Sequence, residues 1–368
     1  MKSKLYKSKF GEIKKYLYFC AINYRAMQYR ITIGMPVYNV EDYIKQSLTC
    51  ALNQDLNLVE ILIVDDCGTD SSMVIVKELQ KEHPNGKNIK IIKHPQNLGV
   101  AEARNTIIRE AQGKYIFFQD SDDLIDKDSL SSLYQAAEKH QAELAYGSTN
   151  IREDNNERPY ITLPDKLLIG KDALANYIYN DIHDNIPNSI WNILIRTDFL
   201  RNNGFTCPDF KIGEDLLLNE QMQPEVSRAV LLSKVTYHYL KRPNSLMQFQ
   251  CRETIDKTEA EYSLYYSKVL KQYCLSLKHK KYFDRKCAKT MKGIFYSACG
   301  ILKHRHQFTG NICDKDIRDS MIHPAHLIEI LSFKHKRIIN LIFWTIGILP
   351  PKISVSLIKY IGKRKGYI

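Results

Sequence analysis

Residues 59–72 read VEILIVDDCGTDSS: five apolar or β-branched positions broken only by Glu60, then paired carboxylates, then turn-forming residues. A run of that length without polar alternation reads as a strand covered on both faces. Asp70, Ser71 and Ser72 are natural N-caps for a following helix over Ser71 to Glu82. The same three-part unit recurs on either side. Upstream, RITIGM from Arg30 leads through PVYN into a helical pattern from Glu41 to Asn53. Downstream, IKIIKH from Ile89 leads through PQNLG into Val100 to Ala111, and KYIFFQ from Lys114 leads through DSDD into Lys127 to Lys139. Four strand–helix units in succession imply a parallel sheet with helices on its faces. Such sheets bind ligands beyond the carboxyl ends of their strands, where this chain places its acids.

Further strand signals lie at Glu143 to Tyr146, Ser189 to Ile195 and Val230 to Tyr239, between loops containing Pro164, Pro187 and Pro208. They extend one domain over residues 29–250. From about Arg252 to Leu302 apolar residues recur at three and four, so a helical region is expected over residues 251–336. The last stretch, from Arg337, joins twelve largely apolar residues to Pro350–Pro351 and a second apolar, basic segment. Lys334, Lys336, Arg337, Lys359, Lys363, Arg364 and Lys365 flank apolar surface that includes Trp344. Residues 337–368 therefore read as an interfacial tail drawn to anionic lipid, or as a terminal helix packed on the core with a solvated basic end.

With 44% hydrophobic and 26% charged residues, the 368-residue chain has globular composition and is too large to need covalent staples. Its net charge of +12 is concentrated in residues 1–30 and 331–368, which leaves the body slightly acidic. That distribution argues against nucleic-acid binding. Nine cysteines without a CxxC pair fit a reduced, cytoplasmic setting. No apolar run approaches the roughly eighteen residues of a membrane span. The apolar patch from Tyr16 to Ile22 is broken by Asn23 and Arg25, so residues 1–28 read as a basic extension and not as an export signal.

Asp120, Asp122 and Asp123 crowd one strand end, which is costly unless a cation neutralises them. On an extended backbone Asp120 and Asp122 would face one hard cation, Mg or Mn, while Asp123 points elsewhere. A solvated turn capping the next helix is the alternative. Asp65 and Asp66 stand where a carboxylate can accept hydrogen bonds from a base or ribose. Gly99 opens a helix whose N–H groups could approach phosphate. Arg104, one turn further, reads as a donor-binding residue or as a surface ion pair. Glu214 and Asp215 precede an apolar helical turn, as helix-capping acids or as reactive carboxylates.

MPVYN, VDDCGTDSS, NLGVAEARN, FFQDSDD and GEDLLLN, in this order, resemble the motifs of the family-two glycosyltransferases; WNILIR from Trp191 and YHYLKRPNS from Tyr237 do too. The resemblance covers about residues 30 to 240. It implies a GT-A fold, a Rossmann-like mixed α/β sheet with helices on both faces, followed here by the helical C-terminal region. It also implies inverting transfer of a sugar from a nucleoside diphosphate donor, a UDP-sugar in the first instance, to a glycan or lipid-linked acceptor in surface polysaccharide assembly. By the same resemblance Pro36 and Tyr38 contact the base, Asp66 binds base or ribose with Asp65 in support, and Asp120 lies near the ribose and the metal. Asp122 coordinates Mn2+ or Mg2+, and Asp215 is the catalytic base, its pKa raised by Glu214. Cys67 followed by Gly68 departs from the Gly–Ser usual after the paired acids.

The expected setting is cytoplasmic, peripheral to the inner face of the membrane. A sugar nucleotidyltransferase is the competing enzyme class, but MPVYNVEDY lacks the Gly-rich basic loop that holds a triphosphate. A non-catalytic membrane-surface protein on a transferase fold is the competing non-enzyme.

Overall fold

The computed structural model describes residues 28–153, 156–181, 189–210, 213–241 and 253–368. The basic extension expected over residues 1–28 lies almost wholly outside them. The first half is built as β1 (Tyr29–Val37), α1 (Glu41–Leu52), β2 (Val59–Asp65), α2 (Ser72–Glu82), β3 (Ile89–Lys93), α3 (Val100–Glu110), β4 (Gly113–Phe118) and α4 (Ser129–His140). β1 pairs in parallel with β2 and β4, and β2 with β3. Every residue of β2 is buried, because helices cover both faces of the sheet. Leu62 and Val64 face the layer that holds α3, whereas Ile61 and Ile63 face the opposite layer with α1 and α4. Gly34 admits this packing: a Cβ there would stand 2.3 Å from Ile107 of α3.

The chain then departs from a purely parallel sheet. β5 (Leu144–Glu153) is followed by β6 (Asn156–Ile161), β7 (Lys166–Ile169), the short α5 (Ala173–Asn176), β8 (Ile193–Arg196), α6 (Thr197–Asn202), α7 (Glu214–Met222) and β9 (Arg228–Leu240). The strand order is β3-β2-β1-β4-β8-β5-β9-β7, with β6 pairing β5 and with β8 antiparallel to both β4 and β5. Asn192 secures this junction. Fully buried at φ 59°, it donates to the carbonyls of Gly147 and Ser148 and to Thr149 Oγ1, and accepts from Thr236 Oγ1 at 2.6 Å. Its amide thus ties β8 to both β5 and β9.

Helices make up the rest: α8 (Lys257–Ser276), α9 (Phe283–Lys303), α10 (Asp314–Ser320), α11 (Leu327–Ser332), α12 (Arg337–Ile348) and α13 (Pro351–Arg364). The segment after Arg337 is no free-standing tail. Phe343 and Ile346 of α12 and Val355 and Ile358 of α13 are buried with Met291, Ile294 and Phe295 of α9 in one apolar cluster. Burying four such side chains contributes on the order of 6–12 kcal/mol before entropy is counted, enough to hold the pair in place. Among the described residues no helix is long and apolar enough to cross a membrane.

Candidate active site

The candidate residues meet at the carboxyl ends of β1, β2 and β4, joined there by β9 and the first turn of α7. Pro36 lies near the end of β1 in register with Val64 of β2, and Val37 ends it opposite Asp65. Tyr38, just beyond, is 46% exposed at the rim.

The paired acids of β2 have unequal surroundings. Asp66 is 3% exposed and fully engaged: Oδ1 accepts from the Leu98 N–H at 2.9 Å and His94 Nδ1 at 2.7 Å, and Oδ2 from the Gly99 N–H at 2.9 Å. Because an ionised carboxylate only accepts, His94 carries its proton on Nδ1, and Nε2 is left to face Thr106 Oγ1 at 3.0 Å. Asp66 thus holds the loop before α3, and the N–H groups of Leu98 and Gly99 point at it. Asp65, on the other face of β2, uses Oδ1 to accept from the Cys67 N–H at 3.0 Å. Cys67 adopts the left-handed conformation at φ 60°, so the turn forms despite the departure from glycine, and its thiol donates to the His94 carbonyl at 2.9 Å.

Asp120 to Asp123 form a turn, closed by the Asp123 N–H donating to the Asp120 carbonyl at 3.1 Å. The extended-backbone argument for Asp120 and Asp122 therefore fails, yet the turn achieves the same separation. Asp120 and Asp122 stay partly exposed, whereas Asp123 is 1% exposed. Asp123 accepts from the Tyr237 hydroxyl at 2.8 Å and the Leu240 N–H at 2.8 Å. Burial, then the charges of Asp122 and Asp120, push its carboxyl well above the usual range. The Tyr237 hydroxyl also accepts from the Asp120 N–H at 3.1 Å, locking the turn to β9. Trp191 stacks on Tyr237 at 4.8 Å and on Tyr239 at 6.0 Å, forming one wall.

Arg104 is buried, not the surface ion pair its sequence context allowed. Its Nη2 donates to Asp120 Oδ1 at 2.8 Å and its Nη1 to Glu214 Oε1. Burial opposes the charge, but Asp120, Glu214 and Asp215 outweigh it and hold the guanidinium firmly protonated. Arg104 thus fastens the acidic turn after β4 to the first turn of α7. Asp215 stands next in α7, half buried, with its carboxyl pushed upward by burial and by Asp120, against the pull of Arg104. Glu214 is pushed up to about 7 by burial, with Asp215 adding to the rise and Arg104 opposing it. Three carboxylates share one guanidinium, so the cluster holds excess negative charge that a proton or a cation would relieve.

Among the described residues no three His, Cys, Asp or Glu side chains gather to cage a metal. Magnesium-type sites usually take one or two carboxylates and fill the remaining positions with substrate phosphate and water. Asp120 and Asp122, partly exposed at the rim, fit that pattern as an oxygen-only pair.

The base of α7 was not foreseen. Gly213 opens it at φ 87°, and a Cβ there would stand 2.7 Å from the Tyr266 ring of α8. The Tyr266 hydroxyl donates to the Gly213 carbonyl at 2.9 Å. At the other end, Tyr273 donates to the Glu220 carbonyl at 2.6 Å, and Lys286, fully buried, reaches Glu220 Oε2 at 2.5 Å. The Lys286 ammonium also faces the rings of Tyr179 and Tyr273 at 5.7 and 5.4 Å. Glu220, an acid in the same helix after the apolar run Leu216 to Leu218, is the signal that could have revealed this anchor.

Residues 32–194 match the model of the Glycosyl transferase family 2 family. Residues 32–194 belong to glycosyl transferase family 2. The chain is 28% identical over 230 residues to the uncharacterized glycosyltransferase EpsJ of Bacillus subtilis (strain 168), covering 62% of this chain and 65% of that protein. It is 27% identical over 217 residues to the poly(ribitol-phosphate) beta-N-acetylglucosaminyltransferase TarS of Staphylococcus aureus (strain MW2), covering 57% of this chain and 35% of TarS. The chain thus aligns with less than two thirds of either relative. The crystal structure of S. aureus TarS 1–349 in complex with UDP-GlcNAc superposes with a TM-score of 0.67, covering 92% of each chain at 19% identity. The fold, GT-A-like with added C-terminal helices, is therefore shared with that structure along nearly the whole chain.

Proposed function

We propose that this chain is an inverting glycosyltransferase that moves a sugar from a UDP-sugar to a hydroxyl of a glycan or lipid-linked acceptor. The observation that carries this reading is the buried Arg104, which holds the donor-side turn of Asp120 and the acceptor-side turn of Asp215 in one fixed arrangement. Family membership and the shared fold with a TarS structure that contains UDP-GlcNAc support the donor class.

In this reading Pro36 and Tyr38 hold the base, and Asp65 takes the base or ribose contact, with Asp66 fixing the loop behind it. Asp120 and Asp122 would hold Mn2+ or Mg2+ against the diphosphate; when bound, such an ion stabilises the charge gained by the departing nucleotide. Asp215 takes the proton from the attacking acceptor hydroxyl. Its raised carboxyl makes it a stronger base than an exposed aspartate, and attack on the face opposite the leaving group inverts the anomeric centre. Arg104 keeps Asp120 and Glu214 paired and Asp215 near them. We assign the acceptor to cell-surface polymer assembly at the cytoplasmic face of the membrane, in keeping with the poly(ribitol-phosphate) named for TarS.

The test is turnover of a panel of UDP-sugars with Mn2+ or with a chelator. We expect metal-dependent release of UDP, and a loss of roughly 10²–10⁴-fold in Asp215→Asn, the range general-base catalysis supplies. Full turnover in Asp215→Asn would remove the base.

A further inference from the structure

We infer that α11, α12 and α13 present a face that docks on an anionic lipid surface, with isoleucines inserted and a ring of lysines and arginines on the headgroups. This extends the assignment of a membrane-borne acceptor, but it rests on a separate part of the molecule and stands or falls by itself.

Helices α12 and α13 bury one side and leave the other bare. Asn340, Phe343 and Ile346 face the core of the helical region, whereas Ile338, Ile342 and Ile348 of α12 are exposed, Ile338 to 76%. On α13, Ser354, Val355 and Ile358 are buried, whereas Ile353 and Tyr360 are exposed. Ile328 and Leu331 of the preceding α11 are exposed too, Ile328 to 82%. Seven large apolar side chains left in water within some thirty residues exceed the scatter of an ordinary surface. Trp344 is not among them: it packs, half buried, against the cluster of Cys274, Phe283 and Ile330.

Charge identifies the occupant. Lys334, Lys336, Arg337, Lys352, Lys359, Lys363, Arg364 and Lys365 are all exposed, and no acid occurs after Glu329. The acids of the adjoining α10 are engaged: Asp314 with Arg305, Asp319 with Arg318, and Asp316 with the Cys313 thiol. A second copy would bring like charges together across an isologous contact. A soluble polyanion would satisfy the cations and leave the isoleucines in water. An anionic bilayer satisfies both.

The test is co-sedimentation of the full chain with vesicles of phosphatidylcholine alone or mixed with phosphatidylglycerol. We expect binding to the mixed vesicles only, weakened by salt. Ile338→Ser with Ile342→Ser should lower affinity about tenfold, and Lys363→Glu with Arg364→Glu and Lys365→Glu should abolish it. Both variants should keep the wild-type melting temperature and UDP-sugar hydrolysis in solution, which separates this result from failure of the catalytic assignment. Equal binding to neutral vesicles, no vesicle binding, or an isoleucine variant that binds like wild type would overturn the inference. The last result would point to a soluble polyanion, and a dimer that the isoleucine variant splits would point to a second copy.

Discussion

At the scale of single residues, Asp65 and Asp66 show what side-by-side letters conceal. Alternation along β2 sends Leu62, Val64 and then Asp66 toward α3, and Ile61, Ile63 and then Asp65 the other way. Asp66→Ala removes the partner of the Leu98 N–H and strands the buried His94 Nδ1–H, whereas the Gly99 N–H keeps Asn97 Oδ1, so we expect a loss of roughly 2–3 kcal/mol in urea unfolding. Asp65→Ala removes one accepted bond and should cost about 1 kcal/mol or less while weakening UDP binding. Equal destabilisation by the two variants would contradict this division. The strand period that separates the two acids is present in the sequence. The partners of Asp66 at Leu98 and Gly99, some thirty residues on, become visible only once β3 and α3 are in place.

Among the elements, α7 matters most, because it carries Glu214 and Asp215 and is held at both ends. Arg104 grips its first turn and Lys286 its later one. Arg104→Lys keeps a charge but cannot fork between two carboxylates. We expect kcat to fall on the order of 10²-fold from misplacement of Asp215, with a smaller change in donor KM; an equal change in both would instead assign Arg104 to donor binding. Lys286→Met leaves Glu220 buried without its cation, which should cost roughly 3–5 kcal/mol in thermal or chemical unfolding, and Glu220→Gln in the same chain should recover part of that. Elements with apolar period two or 3.6 were legible in the sequence, and β1 to β4 with their helices lie within a residue or two of expectation. β6 was not, because Asn156 to Tyr160 are exposed and include Pro159, so no apolar face marks them. β7 has four residues, too few to show a period. The antiparallel insertion of β8 depends on Asn192, whose partners lie on β5 and β9.

For the whole molecule, cohesion between sheet and helical region passes through Tyr266, Tyr273 and Lys286, none of which stood out in the sequence, since aromatic and basic residues are frequent throughout the C-terminal part. The helical region carries its own buried polar network: His323 Nδ1 accepts from the Ala325 N–H at 3.0 Å, and Nε2 faces Asn340 Oδ1 at 3.0 Å. Burial lowers the His323 pKa below 6.5, so the fold favours the neutral ring. The unfolded chain then binds more protons as pH falls through 6.5, and stability drops with it. We expect the melting temperature to decline below about pH 6.5, with a shallower decline in His323→Gln; an unchanged slope in that variant would assign the decline to other groups.

The catalytic account depends on a divalent ion shared between Asp120, Asp122 and the donor diphosphate. Calorimetric titration of UDP into the full chain, with Mn2+ and with a chelator, addresses it directly. We expect Mn2+ to tighten UDP binding at least about tenfold in the wild type, as a counter-ion joining two anionic partners should, and Asp122→Ala to erase that gain while leaving metal-free binding unchanged. Wild-type affinity indifferent to Mn2+, or an Asp122→Ala chain that keeps the full enhancement, would contradict it.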